Sequence, residues 1–299
     1  MSGTATKVRK RLSRLTLVIL TGLIRMFAVV VPYRLAVSFG GALGLVAYYF
    51  IPRDKKRAID HLSQCFPERS HRWIAETARR VFIHLGRALL EVLSIRKDKL
   101  NAIVAIEGVE NLKTALAQGR GVVFFTGHIG NWELMAARVA QQYPVSVVAA
   151  PIDPEPLNDM ILGLRSAMGV RTILRDRPGA AKELIRVFRE NRILGILIDQ
   201  DTDVDGAFVD FFGRPAWTPT AAASMAIKFK APVIFGHVHR NGTLRHRITI
   251  EGPLDLVRTG DDDRDIIENT ALFTKKIEEA ILRYPEQWVW MHRRWRRQP

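Results

Sequence analysis

An α/β fold with a single, largely parallel sheet flanked by helices, behind an N-terminal hydrophobic membrane-anchoring helical segment, is the class this sequence predicts. Three observations carry it. From Ala102 onward short β-rich runs alternate with helix-period segments, as strands and crossover helices do around a parallel sheet. Two apolar stretches, Leu15–Val31 and Leu35–Ile51, precede that alternation and lie between basic clusters. The 299 residues are enough for one large α/β domain, and no repeat or linker divides them. The expected organisation is a basic, hydrophobic anchor over residues 1–57 and a second unit over 58–299.

The first apolar stretch follows Lys7, Arg9, Lys10, Arg11 and Arg14 and is interrupted by Arg25; the second is followed by Arg53, Lys55, Lys56 and Arg57. A spanning helix needs about 20 apolar residues, and a charge in mid-segment counts against a simple span. The pattern fits one tilted span or a helical hairpin in one leaflet, with basic flanks on an anionic cytoplasmic surface. Two buried helices of a soluble core would look the same. No small-residue cleavage site marks the segment as a secretory signal. The formal net charge of +15 suits an acidic partner: nucleic acid, an anionic membrane face or an acidic protein. A single cysteine, Cys65, excludes an internal disulfide.

Trp73, Thr77, Val81, Phe82, Leu85, Leu89 and Val92 recur at three- and four-residue steps and predict a helix over His71–Ser94. Strands are expected at Ile103–Ile106, Val122–Phe125, Val145–Ala149, Thr172–Leu174, Ile193–Ile198, Val233–His237 and Arg247–Ile250. Helices are expected at Gly130–Gln142, Leu157–Met168, Ala180–Glu190, Thr218–Phe229 and Asp265–Arg283.

The run Val122–Glu133 carries the clearest chemistry. A buried strand stops at Gly127, His128 follows at once, and Glu133 stands five residues on. Histidine accepts a proton near neutral pH, and a carboxylate can fix its tautomer and stabilise the imidazolium. Five residues on one helix are about 140° apart. The two side chains therefore meet only if His128 lies in the loop and Glu133 on the next helix, which Asn131 would cap. A structural hydrogen bond is the plainer alternative. The C-terminal ends of strands in an open α/β sheet, however, are where ligands bind.

Arg165 falls late on the helix after the third strand, where its planar fork could grip phosphate or simply sit beside the helix C-terminus. Asp199, Asp201 and Asp203 follow a buried strand, as support for a site at the strand end or as a solvated loop. Phe211 and Phe212 lie in a loop that would either wall an apolar chain or plug the core. His237 and His239 share one face of a strand but have no clear third metal ligand. The interleaved Trp and Arg residues over 288–297 suit a membrane interface or single-stranded nucleic acid.

His128-Ile129-Gly130-Asn131-Trp132-Glu133 resembles the H-x4-D/E signature of lysophospholipid acyltransferase-type enzymes. Its wording is similar to the branch of bacterial lipid A late acyltransferases, the lauroyl- and myristoyltransferases. Asp199-Gln200-Asp201, Phe211-Phe212-Gly213-Arg214-Pro215-Ala216 and Pro285–Trp295 resemble that branch as well, so the likeness covers nearly the whole chain. It implies His128 as general base and Glu133 as its orienting acid. Arg165 would lie near substrate phosphate, and Asn131, Asp199, Asp201, Phe211 and Phe212 would line or support the substrate site. It implies an acyl carrier protein as donor, a phosphorylated lipid as acceptor, no metal, cofactor or nucleic acid, and a place on the cytoplasmic face of an inner membrane. An acyltransferase acting on a lysophospholipid, and a basic membrane- or nucleic-acid-binding protein, are the competing readings.

Overall fold

A computed structural model describes the backbone of residues 2–94 and 96–299, with side chains from Arg14 onward; the side chains of Lys7, Arg9, Lys10 and Arg11 lie outside the described residues. Seven strands form the main sheet: β1 (Val104–Glu107), β2 (Val122–Thr126), β3 (Val145–Ala149), β4 (Val170–Leu174), β5 (Ile193–Leu197), β8 (Val233–Asn241) and β9 (Arg245–Glu251). Their spatial order is β1-β9-β8-β2-β5-β3-β4. Every neighbouring pair is parallel except the β8–β9 hairpin. The expected largely parallel sheet is therefore present. An antiparallel pair, β6 (Gly206–Phe211) and β7 (Arg214–Pro219), forms a separate ribbon. That pair falls where a loop is expected from the sequence, because its Pro, Gly and Arg content masks the period-two pattern.

β2 reads as a continuous apolar run because both of its faces are covered. Val123 and Phe125 join Leu194, Ile196, Val233 and Phe235 in one core layer. Helices α3 (Pro52–Cys65), α4 (His71–Ser94), α9 (Ala180–Arg189), α10 (Ala221–Lys228) and α11 (Asp262–Arg283) cover that layer. Val122, Phe124, Ile193 and Ile234 point the other way, under α5 (Leu100–Ile103), α6 (Val109–Leu116) and α7 (Trp132–Ala140). Helix α8 (Glu155–Ala167) follows β3.

The N-terminal apolar stretches form α1 (Ser2–Val30) and α2 (Tyr33–Phe50), broken at Pro32. Among the described residues no single helix is long and apolar enough to cross a membrane. The pair α2–α3 meets that test together, bent by 90°. α2 packs closely on α4. A Cβ built on Gly44 would lie 2.1 Å from the Phe82 carbonyl oxygen, and one on Gly86 2.1 Å from the Gly40 oxygen, so these positions admit only glycine. The far sides of α1 and α2 stay exposed at Leu20, Leu23, Met26, Leu35, Val46 and Phe50. Residues 57 and 58, the expected unit boundary, lie inside α3.

Candidate active site

β2 and β5 are parallel neighbours with Thr126 opposite Leu197. Two residues beyond that pair stand His128 and Asp199, so the register itself brings them together. His128 Nδ1 donates to Asp199 Oδ1 at 2.7 Å, and the His128 amide donates to Oδ2 at 2.6 Å. Trp288 Nε1–H donates to the same Oδ2 at 2.7 Å. Burial pushes the Asp199 carboxyl up, but His128 and the donated hydrogen bonds outweigh it and leave the pKa at about 2. An ionised Asp199 keeps a proton on Nδ1, so Nε2 is the nitrogen turned to act as acceptor. Gly127 permits the approach: a Cβ there would lie 2.9 Å from Asp199 Oδ2.

The carboxylate that holds His128 is thus Asp199. Glu133, expected in that role, does lie on the first turn of α7, capped by Asn131, whose Oδ1 accepts from Leu134 N at 3.3 Å. Both Glu133 oxygens, however, face Arg165 of α8. Nε donates to Oε2 at 2.9 Å and Nη2 to Oε1 at 2.6 Å, with the two side chains 21% and 16% exposed. The pair edges an apolar cavity beneath α7, lined by Phe124, Met135, Val139, Val147 and Gly195 among others. The Trp132 ring also lines it and packs edge-on against the His128 ring at 4.8 Å.

The remaining expected residues are placed away from that cavity. Asn131 is buried, and its amide donates to Glu91 Oε2 at 3.0 Å and to the Ala88 carbonyl at 3.2 Å. Asp201 is buried under the C-terminal segment, accepting from the Arg297 amide at 2.9 Å and Arg296 Nη2 at 3.2 Å. Phe211 and Phe212 plug an aromatic core with Trp288, Trp290 and Trp295 rather than walling the cavity. The C-terminal tryptophans and Arg294 are likewise buried, and Arg294 Nη2 donates to Thr218 Oγ1 at 2.5 Å. Those rings are therefore unavailable to bases or lipid headgroups. His237 and His239 lie on β8, with His239 stacked on Tyr284 at 4.1 Å. Among the described residues no group of three His, Cys, Asp or Glu side chains is set to hold a metal ion.

Behind the loop lies a buried polar network that the sequence pattern gives no sign of. Glu91 accepts from Arg240, from His246 Nε2 at 3.0 Å and from Asn131. Burial raises the Glu91 carboxyl, but His246 and Arg240 hold it near 2. Arg240 Nε donates to His84 Nδ1 at 3.4 Å, which fixes the proton on Nε2, and that nitrogen donates to the Gly130 carbonyl at 3.1 Å. Burial, then Arg240, lower the His84 pKa to about 3, so the ring stays neutral. The Gly130 amide donates to the Gln287 carbonyl at 2.8 Å and is not free to serve a substrate. Gly130 has φ +63, and a Cβ there would meet the Val238 carbonyl at 2.0 Å.

The chain is 25% identical to the lipid A biosynthesis lauroyltransferase of Escherichia coli K12 over 279 residues, 90% of this chain and 87% of that one. It is 24% identical to the palmitoleoyltransferase of the same organism over 274 residues, 90% of this chain and 87% of that one. It is also 25% identical to a phosphatidylinositol mannoside acyltransferase of Mycobacterium tuberculosis over 194 residues, 64% of this chain but only 59% of that one. The chain thus spans about three fifths of the length of the mycobacterial relatives. The sequence profile described as bacterial lipid A biosynthesis acyltransferase matches residues 5–297, and with so nearly complete a match the chain belongs to that family.

Proposed function

We propose that the protein transfers a fatty acyl chain from a thioester to a hydroxyl of a lipid A precursor, with His128 as general base. One observation carries the reading: the His128 imidazole is seated on a buried, ionised Asp199 beside the mouth of an apolar cavity. The acceptor O–H approaches Nε2, which takes its proton as the oxygen attacks the thioester carbonyl. Asp199 stabilises the imidazolium that forms. The developing oxyanion is met by the first-turn amides of α7, at Trp132 and Glu133, which have no partner within the helix. Collapse of the intermediate breaks the C–S bond, and the leaving thiolate takes the proton back from Nε2. No serine or cysteine stands in the motif, so the transfer is direct and needs no acyl-enzyme.

The cavity takes the acyl chain. Burying each methylene contributes about 0.8 kcal/mol, so an apolar lining favours a long chain. Glu133 acts by fixing one edge of the Arg165 guanidinium, leaving Nη1 to meet an acceptor phosphate. An acyl carrier protein, being acidic, suits the basic surface as donor. The exposed apolar sides of α1 and α2 rest in the cytoplasmic leaflet of an inner membrane, as a monotopic hairpin. A sugar hydroxyl of another glycophospholipid is the second reading for the acceptor, favoured by the mycobacterial relatives' names.

The test is transfer from acyl carrier protein thioester to candidate acceptors by the purified full chain, with mass spectrometry of the products. His128→Ala should lower the rate by about 10²- to 10⁴-fold while the protein stays on membranes. Undiminished transfer by His128→Ala would overturn the mechanism.

A further inference from the structure

At the bend between α2 and α3 the exposed apolar face changes character. Val46 is 52%, Tyr49 62%, Phe50 80% and Ile51 43% exposed, and the chain then turns by 90° into α3. Beside this corner an open groove lies against the first turns of α4, lined by Tyr48, Tyr49, Lys55, Arg72, Arg79 and Arg80. Lys55 Nζ lies 4.4 Å from the Tyr48 ring centre and 5.7 Å from that of Tyr49. The groove holds one carboxylate, Glu76, which pairs with Arg79 at 2.8 Å and Arg80 at 3.0 Å. Lys55 and Arg72 have no carboxylate partner among the described residues. Four cations thus face one anion at the rim of an apolar surface. No residue of the His128 site lines the groove.

We infer that this groove binds the phosphate headgroup of an anionic phospholipid, holding the α2–α3 corner at the bilayer surface. Tyrosines at the end of an apolar face sit at headgroup level, where their rings border both media. Lysine and arginine near an anionic leaflet contribute about 1 kcal/mol each. Tyr49 belongs both to the exposed apolar face and to the groove lining, so an acyl tail beside Val46 and Phe50 brings its own phosphate toward Lys55 and Arg72. The occupant is therefore a lipid of the surrounding leaflet. The inference needs a membrane-bound chain but not the acyl-transfer reading, because vesicle binding reads it out.

The experiment compares binding of the full chain to vesicles of phosphatidylcholine alone and of phosphatidylcholine with phosphatidylglycerol. The double variant Lys55→Gln/Arg72→Gln should lose about tenfold or more of its binding to the anionic vesicles, from two charges at about 1 kcal/mol each, and none on phosphatidylcholine. The wild-type preference should fade as salt is raised. A control, Arg177→Gln/Lys182→Gln, removes the same charge on the loop before α9 and on α9 itself. Equal loss by the control, or equal loss on both kinds of vesicle, overturns the site. Transfer in detergent and the thermal midpoint should match wild type, and a fallen midpoint moves the test to Arg72→Gln alone, where an unchanged preference for anionic vesicles overturns it.

Discussion

The site has two flanks, and each carries its charge differently. On the strand side, His128 and Asp199 extend paired strands and meet in a buried setting, where Asp199 is fixed by three donated hydrogen bonds. On the helix side, Glu133 and Arg165 bridge α7 and α8 by a two-pronged pair that remains partly open to solvent. A carboxylate tied into a sheet orients a proton acceptor rigidly. One tied across two helices shapes the mouth of a cavity. The sequence motif names the helix-side acid, while the imidazole is held by the other.

The largest test of that contrast is Asp199→Asn. It removes the anion that selects the tautomer of His128, and transfer should fall by about 10²- to 10⁴-fold with KM little changed. If Glu133→Gln alone caused the larger loss, the assignment of the two carboxylates would be reversed. The next test is stability in acid. The folded-state pKa of Asp199, about 2, lies below its unfolded value of about 3.9, so its contribution is present above the unfolded value and is lost as pH falls toward 2. Urea unfolding of wild type and Asp199→Asn should converge over that window, by an amount on the order of 2 kcal/mol. The smallest effect is expected on the helix side. A double-mutant cycle on Glu133→Gln and Arg165→Met should give a coupling of about 1 kcal/mol, since the pair is only partly buried. The rate on a phosphorylated acceptor should fall more for Arg165→Met than for Glu133→Gln.

Much of the scaffold was legible. The three- and four-residue recurrence over His71–Ser94 marks α4 to both ends, and the apolar run at Val145–Ala149 marks β3. The place of His128 at a strand end is readable because β2 is buried on both faces and stops at Gly127. Its partner is not, since Asp199 is 71 residues away and only the β2–β5 pairing brings the two side by side. Two apolar runs, each followed at the same distance by an ionisable residue, were the available signal. Phe211 and Phe212 resisted for a different reason: an apolar pair in a turn-rich segment has the same composition whether it plugs a core or walls a pocket. The Glu91–Arg240–His84 network draws on α4 and the β8–β9 hairpin, and its members have no periodic spacing to betray them.

The glycines of α2 have a mechanical consequence. Gly40 and Gly44 bring the apolar helix α2 into backbone contact with α4 at Gly86 and Phe82. On the same rod, between those two contacts, His84 donates to the Gly130 carbonyl in the loop that carries His128. The apolar face of α2 and the loop of His128 are therefore fastened to a common strut rather than joined by a tether, and under the function proposed above that strut would set how far a hydroxyl must rise from the leaflet.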